Sequence, residues 1–315
     1  MSDAAAMWEA FAPGHVTAAF CPHAGARDPR ARGSEGAGLV LELGVRARAQ
    51  YRSGGPRRLR VTSDLGRPLP ISTEVARRLL GERSGRLDLH LTHGLPVGQG
   101  FGTSAAGATA TALAVGALFR VQRGQSLVTA HLADLFGGGG LGGVAAILGG
   151  GYELRRRAGL PPWGEVLHAS FRPKILIGVV GDPIPSPSIL GSPVWLRRIE
   201  RARAVWADLG PRSAPEELFA AGERFTDRVG LASPHLRAVL RSARRHGAQA
   251  FQAMFGESFV ALPRSPAHRR RLIDWLEAAG ISTVEMSTDP RGARRRPVTG
   301  ERPDSPPPRS RAQRF

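Results

Sequence analysis

Alternating apolar and polar residues recur along the first hundred positions of the chain. This alternation predicts half-buried strands over 39–51 (LVLELGVRARAQY), 58–64 (RLRVTSD) and 87–97 (LDLHLTHGLPV). A short helix is predicted between the second and third of these strands, over 71–80. The opening segment, 8–20, carries apolar residues on both sides of a Pro-Gly turn. Strands and helices therefore alternate in this part of the chain.

The second half of the chain starts again with a strand of the fully buried type over 171–180 (FRPKILIGVV). A proline-rich stretch, 183–193, and three helical segments follow before an apolar strand over 258–262. The last periodic patterns predict a helix over 267–280 and a strand over 281–287. This half is again a mixture of helix and strand, and no internal repeat is visible.

The restart of the pattern near residues 160–172 predicts a domain boundary. A chain of 315 residues is long enough for two domains, each with a core of its own. We expect an N-terminal domain over 1–166 and a C-terminal domain over 167–290. The remaining segment, 291–315, is rich in Pro, Ser and Arg without apolar periodicity, and it is predicted to be a basic disordered tail.

The net charge of +18 is the strongest signal in the composition. Lys174 is the only lysine among the 44 basic residues, so the bias towards arginine runs along the whole chain and indicates base composition of the gene. In the tail, eight Arg stand against Glu301 and Asp304, a net charge of +6. We expect no specific nucleic-acid partner, and RNA association through the tail stays as an alternative.

Cysteine and leader patterns predict a cytoplasmic protein. Cys21 is the only cysteine, which excludes an intrachain disulfide. The first residues lack the charged and apolar regions of a secretory signal. The longest apolar stretch, 105–119, is too short to span a bilayer, so no membrane partner is expected.

A loop with alternate glycines precedes a small, apolar helix at 96–106 (PVGQGFGTSAA). Glycine adopts positive φ and lets the backbone approach an anion closely. The first turn of the helix, 103–105, offers unpaired N–H groups and a positive dipole end. No Gly-Lys pair of a Walker-type loop is present, and the G-x-G-x-G spacing fits a Rossmann fingerprint poorly. The loop predicts a triphosphate cradle, with a plain glycine-rich turn as the alternative.

Further motifs follow the order in which they stand in the GHMP kinase superfamily. The loop at 96–106 is similar to its second motif and 252–257 (QAMFGE) to its third; the first reads Ala-Pro-Gly-His, with His15 where most members have lysine. Over about residues 10–295 the chain resembles the archaeal pantoate kinases. The segments that carry this resemblance are 12–17 (APGHVT), 28–38 (DPRARGSEGAG), 150–155 (GGYELR), 161–164 (PPWG) and 289–294 (DPRGAR).

The resemblance implies a fold and an activity. The expected fold is the α+β GHMP kinase fold, with a ribosomal protein S5 domain 2-like N-terminal domain, a ferredoxin-like C-terminal domain and the active site between them. The implied activity is that of a small-molecule kinase that uses ATP and Mg²⁺ to convert pantoate to 4-phosphopantoate in archaeal coenzyme A biosynthesis. Pantoate is then the small-molecule partner, and a homodimer is a possible assembly.

The resemblance also assigns roles to single residues. Arg155 is expected to bind the substrate carboxylate, with a solvated charge run as the alternative, and Asp134 replaces the glutamate usual in the family, with an exposed helix carboxylate as the alternative. The expected catalytic residues are Ser104, His131, Asp134 and Arg155, and the expected metal contacts are Ser104 and Asp134. The expected ATP-binding residues are Pro96, Gly98, Gly100, Gly102, Thr103, Ser104 and Ala105. The expected substrate-binding residues are His15, Ser34, Arg155 and Ser186.

Gly143 departs from the family, which has a catalytic aspartate at this position. Losing a general base costs roughly 10²–10⁴-fold in rate. Phosphoryl transfer, however, depends mainly on positioning and charge neutralisation. We therefore expect reduced but real kinase activity, with a homologue that binds ATP or a small hydroxy acid without turnover as the alternative. Asp134 and His131 are both open as substitute bases.

Overall fold

Two β-sheets with helices packed on them form the framework of the protein. The structure, a computed structural model, describes residues 6–298. The strands of this part are β1 (Ala6–His23), β2 (Gly33–Ser53), β3 (Arg58–Ser63), β4 (Gly85–His93), β5 (Tyr152–Arg157), β6 (Glu165–Ala169), β7 (Ile175–Val179), β8 (Ala248–Gln252), β9 (Ser258–Pro263), β10 (Thr283–Met286) and β11 (Arg294–Pro297). The α-helices are α1 (Pro70–Leu80), α2 (Thr103–Leu118), α3 (Arg123–Phe136), α4 (Gly143–Ala146), α5 (Ser186–Leu190), α6 (Pro193–Arg201), α7 (Pro215–Val229), α8 (Pro234–Arg245) and α9 (Pro266–Ala278).

The first sheet has the strand order β11-β1-β2-β4-β3, and β5 pairs with both β2 and β6. Only the β3–β4 pair among these is parallel. Val45, Ala47 and Ala49 of β2 lie in the core beneath the helices, whereas Arg46 and Arg48 between them are exposed. The strict alternation of apolar and polar residues in β2, β3 and β4 thus arises because one face of this sheet is covered and the other is exposed. The strands predicted there are confirmed.

The second sheet is antiparallel, in the order β10-β7-β9-β8. Apolar residues of α8 and α9 pack on it, and the predicted strands over 171–180, 258–262 and 281–287 correspond to β7, β9 and β10. The chain leaves the first sheet after Ala169 and enters the second at Ile175. The predicted boundary after residue 166 cuts through β6, whose residues pair with β5 as far as Ala169. We therefore propose the boundary within 170–174.

Two segments differ from the sequence expectations. Arg294–Pro297, assigned to the disordered tail, form β11 and pair with β1, so the prediction of disorder is wrong for these residues. Their charges are accommodated because Arg296 pairs with Glu9 and Arg294 with Asp289. The rest of the predicted tail, from residue 299 onwards, lies outside the described residues.

The opening segment is a single strand, β1, and not two pieces joined by a turn. Its pairing with β2 shifts register between Pro13 and His15, so Pro-Gly makes a bulge within the strand. Within residues 6–298, no helix is long and apolar enough to cross a membrane.

Candidate active site

The glycine loop at 96–102 enters α2 through three residues with positive φ. Gly98, Gly100 and Gly102 have φ of 84°, 75° and 64°. A Cβ at Gly100 would lie 2.5 Å from the backbone oxygen of Ala253, so the loop packs closely on the segment between β8 and β9. The Ser258 hydroxyl also donates to the backbone oxygen of Gln99, at 2.6 Å. The loop is therefore held by both parts of the fold.

The helix that follows is buried on all sides. Almost every residue of α2 is apolar or small and lies in the core, which fixes the helix axis against the first sheet. Gly102 stands at the N-cap and brings no side chain to the first backbone N–H groups. This helix end faces a cavity of about 360 Å³. A helix N-terminus that opens on a cavity and follows glycines with positive φ is a site for phosphate groups.

The cavity collects most of the predicted site residues. Its wall is made by the glycine loop, the glycine run after α3, the start of α5, and the segment between β8 and β9. Of the predicted residues it is lined by His15, Ser34, Gly98, Gly100, Gly102, Thr103, Ser104, Ala105, Asp134 and Ser186. Pro96, His131 and Arg155 are not part of this lining.

Ser104 and Asp134 form a hydrogen-bonded pair in the cavity wall. The Ser104 hydroxyl donates to Asp134 Oδ1 at 2.6 Å. Asp134 lies near the end of α3 and is buried, so it is not the exposed helix carboxylate of the alternative prediction. Burial raises the pKa of Asp134 to about 6, although the hydrogen bond from Ser104 opposes the change. A Cβ at Gly139 would overlap both side chains, so the glycine run crosses directly over this pair.

A second polar group, His15–Glu153–Arg155, lies deeper in the wall. His15 Nε2 is 2.8 Å from Glu153 Oε1, and Arg155 Nη1 pairs with the same oxygen. Glu153 has no exposed area and Arg155 is 3% exposed. Burial alone would raise the pKa of Glu153, but Arg155 and His15 hold it below its usual value. For His15, burial is the main cause of a lowered pKa, so the imidazole is neutral at pH 7.

Arg155 and His131 lie outside the lining and have hydrogen-bond partners elsewhere in the chain. Arg155 Nε donates to the backbone oxygen of Ser34 at 3.2 Å, and the Ser34 hydroxyl donates to the backbone oxygen of Leu141 at 2.6 Å. Arg155 is therefore a buried, ion-paired residue and not part of a solvated charge run. His131 Nε2 lies 3.2 Å from the backbone oxygen of Pro29.

Sequence and structure comparisons agree on one family. The model for the N-terminal domain of the GHMP kinases matches residues 71–151. A pantoate kinase of Methanospirillum hungatei is 29% identical over 263 residues, 80% of this chain and 86% of that protein. A pantoate kinase of Thermococcus kodakarensis is 30% identical over 241 residues, 74% of this chain and 79% of that protein. The chain belongs to the pantoate kinase family. A solved phosphotransferase related to the CoA biosynthesis pathway has a TM-score of 0.84 at 26% identity, covering 93% of this chain and 100% of its own.

Membership of the pantoate kinase family confirms the GHMP kinase fold expected from the motifs. The family-model match spans the glycine loop, Ser104, Asp134 and Gly143, and ends just before β5. Glu153 and Thr17, which sequence reasoning did not single out, lie beyond that region. The only hint of Glu153 was its place two residues before Arg155, which on a strand brings both side chains to one face.

Proposed function

We propose that this protein phosphorylates the primary hydroxyl of pantoate with ATP, giving 4-phosphopantoate for coenzyme A biosynthesis. The observation that carries the proposal is the cavity at the start of α2, where the glycine loop, the Ser104–Asp134 pair and His15 line one space. Two pantoate kinases align with most of the chain. The proposed substrate has a carboxylate and a hydroxyl, and the polar side chains His15, Ser34, Thr103, Ser104 and Ser186 line the cavity.

ATP is the proposed phosphoryl donor, and the glycine loop is its proposed phosphate site. The cavity lining contains no arginine or lysine among the described residues. Backbone N–H groups of the loop and of the first turn of α2, together with the helix dipole, would therefore carry the attraction for the phosphates. This supports the predicted ATP contacts from Gly98 to Ala105, whereas Pro96 would act only by shaping the loop.

The Ser104–Asp134 pair fits a role in holding Mg²⁺. Asp134 is a buried carboxylate whose hydrogen-bond partner in the structure is a hydroxyl, and a neighbouring cation would relieve the cost of its charge. Within residues 6–298, no group of three or more His, Cys, Asp or Glu could hold a metal by itself. Mg²⁺ commonly uses one or two carboxylates and completes its shell with substrate phosphates and water. Bound there, Mg²⁺ would neutralise charge on the phosphates.

The proposed acceptor site lies beside His15, Ser34 and Ser186. These side chains face the cavity and can donate to or accept from a small hydroxy acid. We propose that Arg155 acts through Ser34, because it donates to the Ser34 backbone oxygen and pairs with Glu153. Bidentate capture of the substrate carboxylate, the role implied by the family resemblance, would require Arg155 to give up these buried contacts.

The test is ADP release with Mg-ATP and D-pantoate, run beside mevalonate and homoserine at equal concentration. We expect ADP release that depends on pantoate and exceeds the rate with either other alcohol. Asp134→Asn serves as the matched variant that removes one charge and keeps a hydrogen-bond acceptor for Ser104. Nucleotide binding without pantoate-dependent ADP release would contradict the proposed function, as would faster turnover of mevalonate or homoserine.

A further inference from the structure

Two of the side chains that line the cavity are titratable. They are Asp134 and His15, and no other titratable side chain belongs to the lining within residues 6–298. Gly143 also lines the cavity and offers no carboxylate. Asp134 is engaged by Ser104 and is the proposed Mg²⁺ contact. His15 is therefore the group left to take a proton from the acceptor hydroxyl.

The surroundings of His15 determine which ring nitrogen is available. Glu153 is held ionised by Arg155, and it lies 2.8 Å from His15 Nε2, so the Nε2–H donates to this carboxylate. The proton of a neutral imidazole then stands on Nε2, and Nδ1 keeps its lone pair. Nδ1 accepts a hydrogen bond from the Thr17 hydroxyl at 3.5 Å, and because Thr17 also lines the cavity, the acceptor hydroxyl of the substrate would take the place of this donor.

The backbone of His15 is also held against the phosphate loop. The His15 backbone N–H donates to the Phe101 oxygen at 3.0 Å, and a Cβ at Gly102 would lie 3.1 Å from His15 Cβ. A displacement of the loop would thus displace His15. These contacts place an uncharged, oriented imidazole next to the residues that are proposed to hold the transferred phosphate.

We propose that His15 is the general base of the reaction, with Glu153 as the positioning residue that fixes its tautomer and orientation. This inference rests on the proposed kinase function. The acceptor hydroxyl gives its proton to His15 Nδ1 while its oxygen forms a bond to the γ-phosphorus of ATP. The bond between that phosphorus and the β–γ bridging oxygen breaks, and ADP leaves with the electron pair. His15 then returns the proton to solvent or product.

The decisive variant is His15→Gln. The amide nitrogen of glutamine can replace Nε2–H as the donor to Glu153, which keeps the buried Glu153–Arg155 pair intact, but no basic nitrogen remains. We expect kcat with pantoate to fall by about 10²-fold or more, with little change in the KM for ATP. His93→Asn is the matched control, because His93 is also buried and pairs through Nδ1 with Asp64 at 2.9 Å, away from the cavity.

The pH profile separates a base from a residue that merely supports the wall. The charged and titratable groups that act on His15 are Glu153, Arg155 and His168. In the wild type, kcat should fall on the acid side as His15 becomes protonated. His15→Gln should lose this part of the limb and keep only the part caused by protonation of Asp134, whose pKa burial raises to about 6. In Glu153→Gln the limb should move to lower pH, because the carboxylate that favours the imidazolium is gone. Nitrogen NMR of His15 should report the Nε2–H tautomer.

Restoring a carboxylate at Gly143 gives a rescue experiment. A Cβ there would lie 2.7 Å from Ala105 Cβ, so Gly143→Asp is combined with Ala105→Gly. Added to His15→Gln, this pair should regain at least tenfold in kcat by supplying another base. A folded His15→Gln protein with wild-type kcat and an unchanged acid limb would overturn the inference while leaving the kinase function in place. Absence of pantoate-dependent turnover in the wild type would overturn both.

Discussion

Asp134, which lines the cavity, and Glu153, which lies behind His15, are both buried carboxylates, yet their electrostatic situations are opposite. Asp134 has a hydroxyl as its partner, and burial raises its pKa to about 6. Glu153 meets Arg155 and His15, and its pKa is lowered despite equally complete burial. Burial therefore does not decide the charge state of a carboxylate; the available cation does.

The difference suggests two functions for the same chemical group. Glu153 is already neutralised within the protein, so it can orient His15 and stabilise the fold around Ser34. Asp134 lacks such a cation and gains most when a ligand supplies one, which is the situation expected for a metal contact. Asp134 should therefore destabilise the protein in the absence of a ligand, whereas Glu153 should stabilise it.

The largest effect is expected from Glu153→Gln. This change leaves Arg155 buried without a carboxylate, and breaking a buried pair costs about 3–5 kcal/mol in the free energy of unfolding. Urea denaturation at pH 7 measures the loss. Glu9→Gln is the control, because Glu9 is also buried but its partners Arg46 and Arg296 are 52% and 73% exposed and stay hydrated.

A further variant tests whether the cost comes from the unpaired cation. Replacing both partners, Glu153→Gln with Arg155→Met, should recover most of the lost free energy, because no buried charge remains. If Glu153→Gln costs no more than Glu9→Gln, or if the double variant is less stable than the single one, the pair does not carry the stability assigned to it.

Asp134→Asn should raise the free energy of unfolding, whereas Glu153→Gln should lower it. The usual pKa of 3.8 is raised to about 6, so the unfolded chain loses its proton first and wild-type stability falls as pH rises from about 4 to 6. At pH 7 the buried charge of Asp134 lowers the free energy of unfolding by about 3 kcal/mol, and the neutral amide of asparagine removes this loss. The difference in unfolding free energy between Asp134→Asn and wild type should grow from near zero at pH 4 to this value at pH 7. A difference that does not change with pH would show that burial does not destabilise the ionised form of Asp134.

Sequence patterns predicted the parts of the fold that depend on short-range periodicity. β2, β3 and β4 each have one face towards helices and one towards solvent, so apolar and polar residues alternate along them. β5 was missed because its buried positions include Glu153 and Arg155, and a buried ion pair cannot be distinguished from a surface strand or a charge run by composition. β11 was missed for a similar reason, since Arg296 is balanced by Glu9, which lies 287 positions away in the sequence.

The candidate site was also predicted only in part. The glycine loop is contiguous and carries its own chemistry, so its residues could be named from the sequence. The family resemblance supplied Ser104, Asp134 and His15. It could not supply Glu153, because the hydrogen bond between His15 and Glu153 joins residues 138 positions apart. It also gave no sign that His131 would turn towards Pro29 and away from the cavity.

The smallest expected effect tests whether the hydrogen bond from Ser104 changes the pKa of Asp134 in addition to burial. The hydrogen bond from Ser104 lowers the pKa of Asp134, so Ser104→Ala should raise it further. A hydrogen bond to a charged group contributes about 1.5 kcal/mol, so the pH at which the stability loss levels off should rise by about one unit. The measurement is the unfolding free energy between pH 4 and 8. In an Asp134→Asn background the same substitution should shift no such pH, because the titrating group is absent. If the loss levels off at the same pH in the single variant, Ser104 contacts Asp134 without stabilising its charge.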